Sequence, residues 1–142
     1  MDVGKRGLRV VPHVLVAEDN PINAKVIKAY LAARGYEFEI VQNGQEAIDA
    51  VATGDYDIVL MDIHMPVVDG LMATIAIRAL AGRGGRIPIV AVTAVQLKAD
   101  KSALRLAGLD AWVAKPIDRE QLYAVIDRLV SVEVDYHAAP QQ

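Results

Sequence analysis

Five short apolar runs, separated by stretches of helical periodicity, leave this chain few folds to choose from. The runs are His13–Ala17 (HVLVA), Glu37–Val41 (EFEIV), 57–61 (DIVLM), 87–92 (IPIVAV) and Ala111–Ala114 (AWVA). DIVLM and IPIVAV are almost continuously apolar, the pattern of strands covered on both faces, whereas EFEIV alternates and reads as an edge strand. Between the runs lie helices with recognisable ends. Asn20-Pro21 suits an N-cap and a first-turn proline, and Ile22, Val26, Ile27, Tyr30 and Leu31 then form one apolar stripe up to a stop at Arg34-Gly35. Asn43 with Glu46, and Asp118 with Gln121, have capping-box spacing. In the last helix Leu122, Val125, Ile126, Leu129 and Val130 keep a 3.6-residue period. Two more helices are expected over 71–81 and 97–107, ending near Gly82 and Gly108. The stretch GRGGR at 82–86 is expected to be a flexible loop; it neither follows a strand nor opens a helix, so it is no phosphate cradle. Strand–helix alternation of this kind requires right-handed crossovers, giving an α/β domain with a parallel sheet and helices on both faces.

Composition narrows the classes further. A chain of 142 residues suits one domain, able to bury roughly 70% of its unfolded surface. Hydrophobic residues make up 54% but include one Phe and one Trp, so the core is aliphatic. The net charge of −3 offers no electrostatic footprint for nucleic acid. With no cysteine there is neither a disulfide framework nor a thiolate metal site. No apolar run reaches the roughly 18 residues of a membrane span, and the N-terminus lacks the apolar region of a signal peptide. A cytoplasmic location without membrane contact by this domain is therefore expected. Residues 1–11 are expected to be a flexible extension, 12–131 the folded domain, and 132–142 a tail or linker.

In open α/β sheets, ligands bind beyond the carboxyl ends of the strands. The first strand delivers Glu18 and Asp19 to that edge, the third Asp62, the fourth Thr93 and Ala94, and the fifth Lys115 followed by Pro116. Taken singly, an acid after a strand is a helix cap, a Thr is β-propensity, and a Lys before Pro is a surface lysine. Three carboxylates, a hydroxyl and a lysine at one edge form a set. Three neighbouring carboxylates raise one another's pKa unless a cation joins them. Lys115 supplies one positive charge, and a hard divalent ion with oxygen ligands supplies the rest; few protein carboxylates suit Mg²⁺ better than Ca²⁺. The lack of Cys and of clustered His argues against zinc. A Mg²⁺ beside a carboxylate, a hydroxyl and a lysine can perform phosphoryl transfer, with an aspartate as nucleophile and acyl-phosphate carrier. Asp62, on the central strand and opening the loop DIHMPVVDG, is the candidate nucleophile.

The motifs VLVAEDNPIN, IVLMDIHMPVVDG, VAVTA and VAKPI occur in this order, and over about residues 12–131 the chain resembles the CheY-like receiver (response-regulator) domain of two-component signalling. The wording EDNPIN and MPVVDG is most similar to receivers of hybrid sensor histidine kinases. The resemblance implies a flavodoxin-like (βα)5 domain with strand order 2-1-3-4-5, an order for which receivers are themselves a standard example. It implies that Asp62 accepts a phosphoryl group from a phosphohistidine. Asp19 would bind Mg²⁺ directly, Glu18 mostly through water, and the backbone carbonyl of His64 would complete the protein ligands. Thr93 and Lys115 would each engage a phosphoryl oxygen, and the Lys115–Pro116 bond would be cis. The partners implied are a histidine kinase or histidine phosphotransfer domain, with a homodimer through the fourth helix, fifth strand and fifth helix as a further option.

Three positions depart from the common pattern. Trp112 stands where receivers usually carry Tyr or Phe, the ring that moves with Thr93, so its part in a switch is open. His64 stands where Gln or Asn is commoner; its side chain either influences the phosphorylated state's lifetime or faces solvent, and solvent is preferred. Val95 would leave one side of the phosphoryl group apolar. Two competing readings are a stand-alone response regulator, and a metal-dependent phosphatase or mutase with an aspartyl nucleophile. The latter usually has a second acid where His64 stands, and a substrate cap for which this length leaves no room. A receiver that binds partners without phosphorylation is disfavoured by the intact set Glu18, Asp19, Asp62, Thr93 and Lys115.

Overall fold

The computed structural model describes residues 11–94 and 101–130. Residues 1–10 of the expected extension, the tail, Val95 and the first residues of the helix placed at 97–107 lie outside them; Val11 is described and packs against the sheet. Five parallel strands form one sheet: β1 (His13–Ala17), β2 (Glu37–Val41), β3 (Ile58–Asp62), β4 (Ile89–Thr93) and β5 (Ala111–Ala114), in the order β2-β1-β3-β4-β5. Five α-helices connect and follow them: α1 (Pro21–Ala33), α2 (Gly44–Thr53), α3 (Gly70–Arg78), α4 (Lys101–Ala107) and α5 (Arg119–Leu129). This is the α/β architecture and strand order expected.

Strand alternation assigns the helices to faces. Val14 and Val16 of β1, Leu60 of β3 and Val90 and Val92 of β4 pack with Ile27 and Leu31 of α1 and Leu122 and Ile126 of α5. The intervening Leu15, Met61 and Ala91 pack with Ala47 and Val51 of α2, Ala73 and Ile77 of α3, and Leu104 of α4. β3 and β4 are buried at every residue, as their unbroken apolar runs require, while β2 exposes Glu37 and Glu39 at the sheet edge.

The helix starts obey the caps written in the sequence. The Asn20 side chain accepts from the N–H groups of Ile22 (2.9 Å) and Asn23 (3.1 Å), with Pro21 in the first turn. Asn43 accepts from Glu46 N–H at 2.8 Å, and the Glu46 carboxylate accepts from Gln42 N–H at 2.7 Å, one residue earlier than a strict capping box. Asp118 accepts from Gln121 N–H at 2.8 Å.

Three boundaries differ from expectation. The third strand runs Ile58–Asp62, one residue later than expected at both ends; Asp57 just before it still pairs with His13, its N–H donating to the His13 carbonyl (2.8 Å) and its carboxylate accepting the His13 N–H (2.8 Å). The fourth strand, expected over 87–92, runs Ile89–Thr93: Arg78 takes the Ile87 carbonyl (2.7 Å), and Thr93 joins the ladder opposite Ala114. The third helix stops at Arg78 with its cap at Ala79, and 82–86 is a 3-10 helix (Gly82–Arg86), not a free loop. The Arg78 guanidinium donates to the carbonyls of Gly85 (3.1 Å) and Ile87 (2.7 Å), which holds the glycine-rich stretch wound against the end of α3.

Register brings the strand ends level. Ala17 pairs with Met61, Asp62 with Val92, and Thr93 with Ala114, so the residues that follow these strands emerge along one edge. At that edge a Cβ on Gly70 would collide with the backbone oxygen of Asp62, so the start of α3 sits directly against the end of β3.

Candidate functional site

Glu18 follows β1 and is buried, with Asp19 exposed beside it; Asp62 ends β3 and is buried. One carboxylate oxygen from each of the three lies within 4.8 Å of the others. Lys115, carried past the end of β5 by its N–H bond to the Thr93 carbonyl (2.8 Å), reaches into this group. Its Nζ is 3.3 Å from Glu18 Oε1 and 3.3 Å from Asp62 Oδ1. Among the described residues, one ammonium therefore faces two buried carboxylates.

Glu18 shows the imbalance most clearly. Burial first, and then its contact with Asp62, push its carboxyl up to about 6, against the opposing pull of Asn20 N–H and Lys115. Its Oε2 accepts from Asn20 N–H at 3.2 Å, but Oε1 is buried and has no hydrogen-bond partner among the described residues, although Lys115 is at ion-pair distance. A buried carboxylate oxygen left without a hydrogen bond is costly. Together with three hard oxygen donors, it fits a divalent cation that prefers oxygen ligands.

The cavity over these groups encloses about 450 Å³ and is lined by Glu18, Asp19, Asp62, His64 and Lys115, with Asn20, Pro21, Asn23 and Ala94 completing its wall. His64 is exposed at the rim; its N–H donates to Asp62 Oδ1 at 3.1 Å and fixes that carboxylate's orientation. Thr93 is buried at the end of β4, beside the cavity; the wall beyond that strand is Ala94. The Lys115–Pro116 peptide is cis, as the resemblance implied. Trp112 does not line the cavity. It is half-buried on β5, with Lys101 Nζ 5.7 Å and Arg105 Cζ 5.5 Å from its ring centre. Sequence reasoning missed Asn23 as a cavity wall. Asn23 lies in the first turn after the Asn20 cap, and this position was the signal available.

The known proteins agree with this geometry. The sequence profile of the response regulator receiver domain matches residues 14–127, and the chain belongs to that family. It is 45% identical over 128 residues to hybrid signal transduction histidine kinase I of Dictyostelium discoideum, a match covering 85% of this chain and 7% of that protein. It is 38% identical over 127 residues to sensor protein GacS of Pseudomonas syringae pv. syringae, covering 88% of this chain and 14% of that one. The chain thus spans a small part of the length of these relatives. Among solved structures it resembles the receiver domain of sensor histidine kinase PA1611 from Pseudomonas aeruginosa PAO1, whose active-site cleft coordinates a magnesium ion. That likeness has a TM-score of 0.78 at 38% identity, over 84% of this chain and 98% of that one.

Proposed function

We propose that this chain is the receiver of a hybrid sensor histidine kinase, taking a phosphoryl group onto Asp62 from a phosphohistidine of a kinase or histidine phosphotransfer domain. The observation that carries the reading is the convergence of Glu18, Asp19 and Asp62 on one cavity with a single lysine between them. A Mg²⁺ held by these carboxylates, with the His64 backbone carbonyl, would neutralise charge on the transferring phosphoryl oxygens. The Asp62 carboxylate attacks phosphorus in line; an oxygen–phosphorus bond forms as the phosphorus–nitrogen bond breaks, and the donor ring, protonated on its other nitrogen, leaves with the bonding electron pair as neutral imidazole. His64 N–H holds the nucleophile's orientation. Lys115 shifts from bridging two carboxylates to pairing with a phosphoryl oxygen, and the Thr93 hydroxyl donates to another. Phosphorylation adds negative charge at one sheet edge and biases the surface of α4, β5 and α5 between two arrangements. That surface exposes Leu106 and is where a homodimer would form, a point for sedimentation of both phosphorylation states.

The reading is tested by mixing the chain with a phosphorylated histidine phosphotransfer domain and following the phosphoryl group. Transfer to this chain in the presence of Mg²⁺ supports it; retention on the donor with every donor tried sinks it. Asp19→Ala checks the metal assignment: the Mg²⁺-dependent change in Trp112 fluorescence should disappear, and an unchanged titration would remove Asp19 from the ligand set.

A further inference from the structure

Arg78, the last residue of α3, uses all five of its guanidinium N–H groups. Nε donates to Gly108 O (3.0 Å), one terminal nitrogen to Gly85 O (3.1 Å) and Ile87 O (2.7 Å), and the other to Gly108 O (2.7 Å) and Asp110 Oδ2 (2.8 Å). Asp110 Oδ2 also accepts from Ile89 N–H at 2.8 Å, and Asp110 N–H donates to Ile89 O at 2.8 Å. One half-buried side chain therefore ties together the end of α3, the 3-10 helix, the entry to β4, and the turn between α4 and β5. The packing is close: a Cβ on Gly108 would lie 2.8 Å from Arg78 Cγ, and Gly108 holds φ at +109°.

This knot grips only one end of α4. It holds Gly108 and Asp110 at the entry edge of the sheet, while Thr93 and Lys115 lie at the exit edge. The strands set the two edges on the order of 13 Å apart, four residues at about 3.3 Å each. Within α4, Leu104 is buried, and Lys101 and Arg105 lie over the Trp112 ring, so the helix rests on the indole through two cations one turn apart. Cation–π contacts are weakly directional and tolerate sliding, whereas five hydrogen bonds to fixed carbonyls and a carboxylate do not.

We propose that Arg78 is the positioning residue of α4: it fixes the helix's C-terminal end, so the response to phosphorylation is a swing of the N-terminal end about Gly108, with Lys101 and Arg105 sliding over Trp112. The swing rests on the receiver reading above; the anchor does not.

Amide hydrogen exchange on the full chain tests both parts. In the unphosphorylated protein, Arg78→Met should speed exchange at Gly108 and Leu109, whose N–H groups bond Arg105 O and Leu104 O, by roughly tenfold. The β3 amides should hold their rates, which separates a lost anchor from general destabilisation. After treatment with acetyl phosphate and Mg²⁺, the wild-type protein should change exchange at Arg105 and Leu106, whose acceptors lie in the first turn, and leave Gly108 and Leu109 unaltered. In Arg78→Met the change should spread to Gly108 and Leu109. Should Arg78→Met fail to fold, Asp110→Asn, which keeps an acceptor for Ile89 N–H, should show the same changes at smaller amplitude. Wild-type rates at Gly108 and Leu109 in a folded variant would overturn the anchor. An equal wild-type response at Arg105, Leu106, Gly108 and Leu109 would overturn the swing. If the wild-type protein takes no phosphoryl group, the receiver reading and the swing fall together, and the unphosphorylated comparison still decides the anchor.

Discussion

Glu18 is the residue on which metal-free behaviour turns. Its folded pKa of about 6 lies above the ordinary 4.5, so the folded state holds this proton more tightly than the unfolded chain does. The favourable contribution is complete below the unfolded value and is lost as pH rises from about 4.5 through about 6, a change of roughly 2 kcal/mol. In chelator, the melting temperature should therefore fall across that window, and Glu18→Gln should flatten the fall and melt higher than wild type at pH 7.5. A wild-type profile that stays flat between pH 4.5 and 7 would contradict this. Lys115 carries the opposite charge between the same acids. Lys115→Met should lower the metal-free melting temperature and enlarge the rise that saturating Mg²⁺ produces, since the ion then balances charge no lysine shares. An unchanged Mg²⁺ increment in calorimetry would mean that the lysine and the ion do not share these oxygens.

Elements place these residues more by where they end than by what they contain. β1, β2 and β5 were legible to the residue, because β-branched runs stop at charges or at Gly and Pro. The start of β3 was not, since it is set by pairing with β1, where Asp57 and His13 meet from 44 positions apart. The winding of 82–86 was hidden for another reason: Arg78 is close in sequence, but nothing in its residue type shows that it turns back to take the Gly85 and Ile87 carbonyls. Likewise nothing in the sequence shows that Lys101 and Arg105 lie over the Trp112 ring of β5. The seating of α3 against β3 gives a prediction at this scale. Gly70→Ala inserts a methyl group against the Asp62 backbone oxygen, so the helix or the strand end must shift. Urea unfolding should show a loss of about 1–3 kcal/mol with an unchanged slope, the usual cost of overpacking. Mg²⁺ affinity should fall with it, since the carboxylate of the same residue is displaced; a variant as stable as wild type would mean that this contact is relieved without cost.

For the whole molecule, site and fold were readable together because a parallel sheet puts the ends of all its strands on one edge. Glu18, Asp19, Asp62 and Lys115 are separated by up to 97 positions (115 − 18) in the sequence, yet register alone brings them to one cavity. What could not be read was the balance among them: that one lysine bridges two buried acids, and that Glu18 Oε1 has no hydrogen-bond partner among the described residues. Under the proposed function, that deficit would make phosphorylation depend on a divalent ion as well as on Asp62. Intact mass after incubation with acetyl phosphate measures this directly. One phosphoryl adduct should appear with Mg²⁺, be absent in chelator, and be absent in Asp62→Ala under both conditions. An adduct of the same size in Asp62→Ala, or in wild-type protein without the metal, would contradict it.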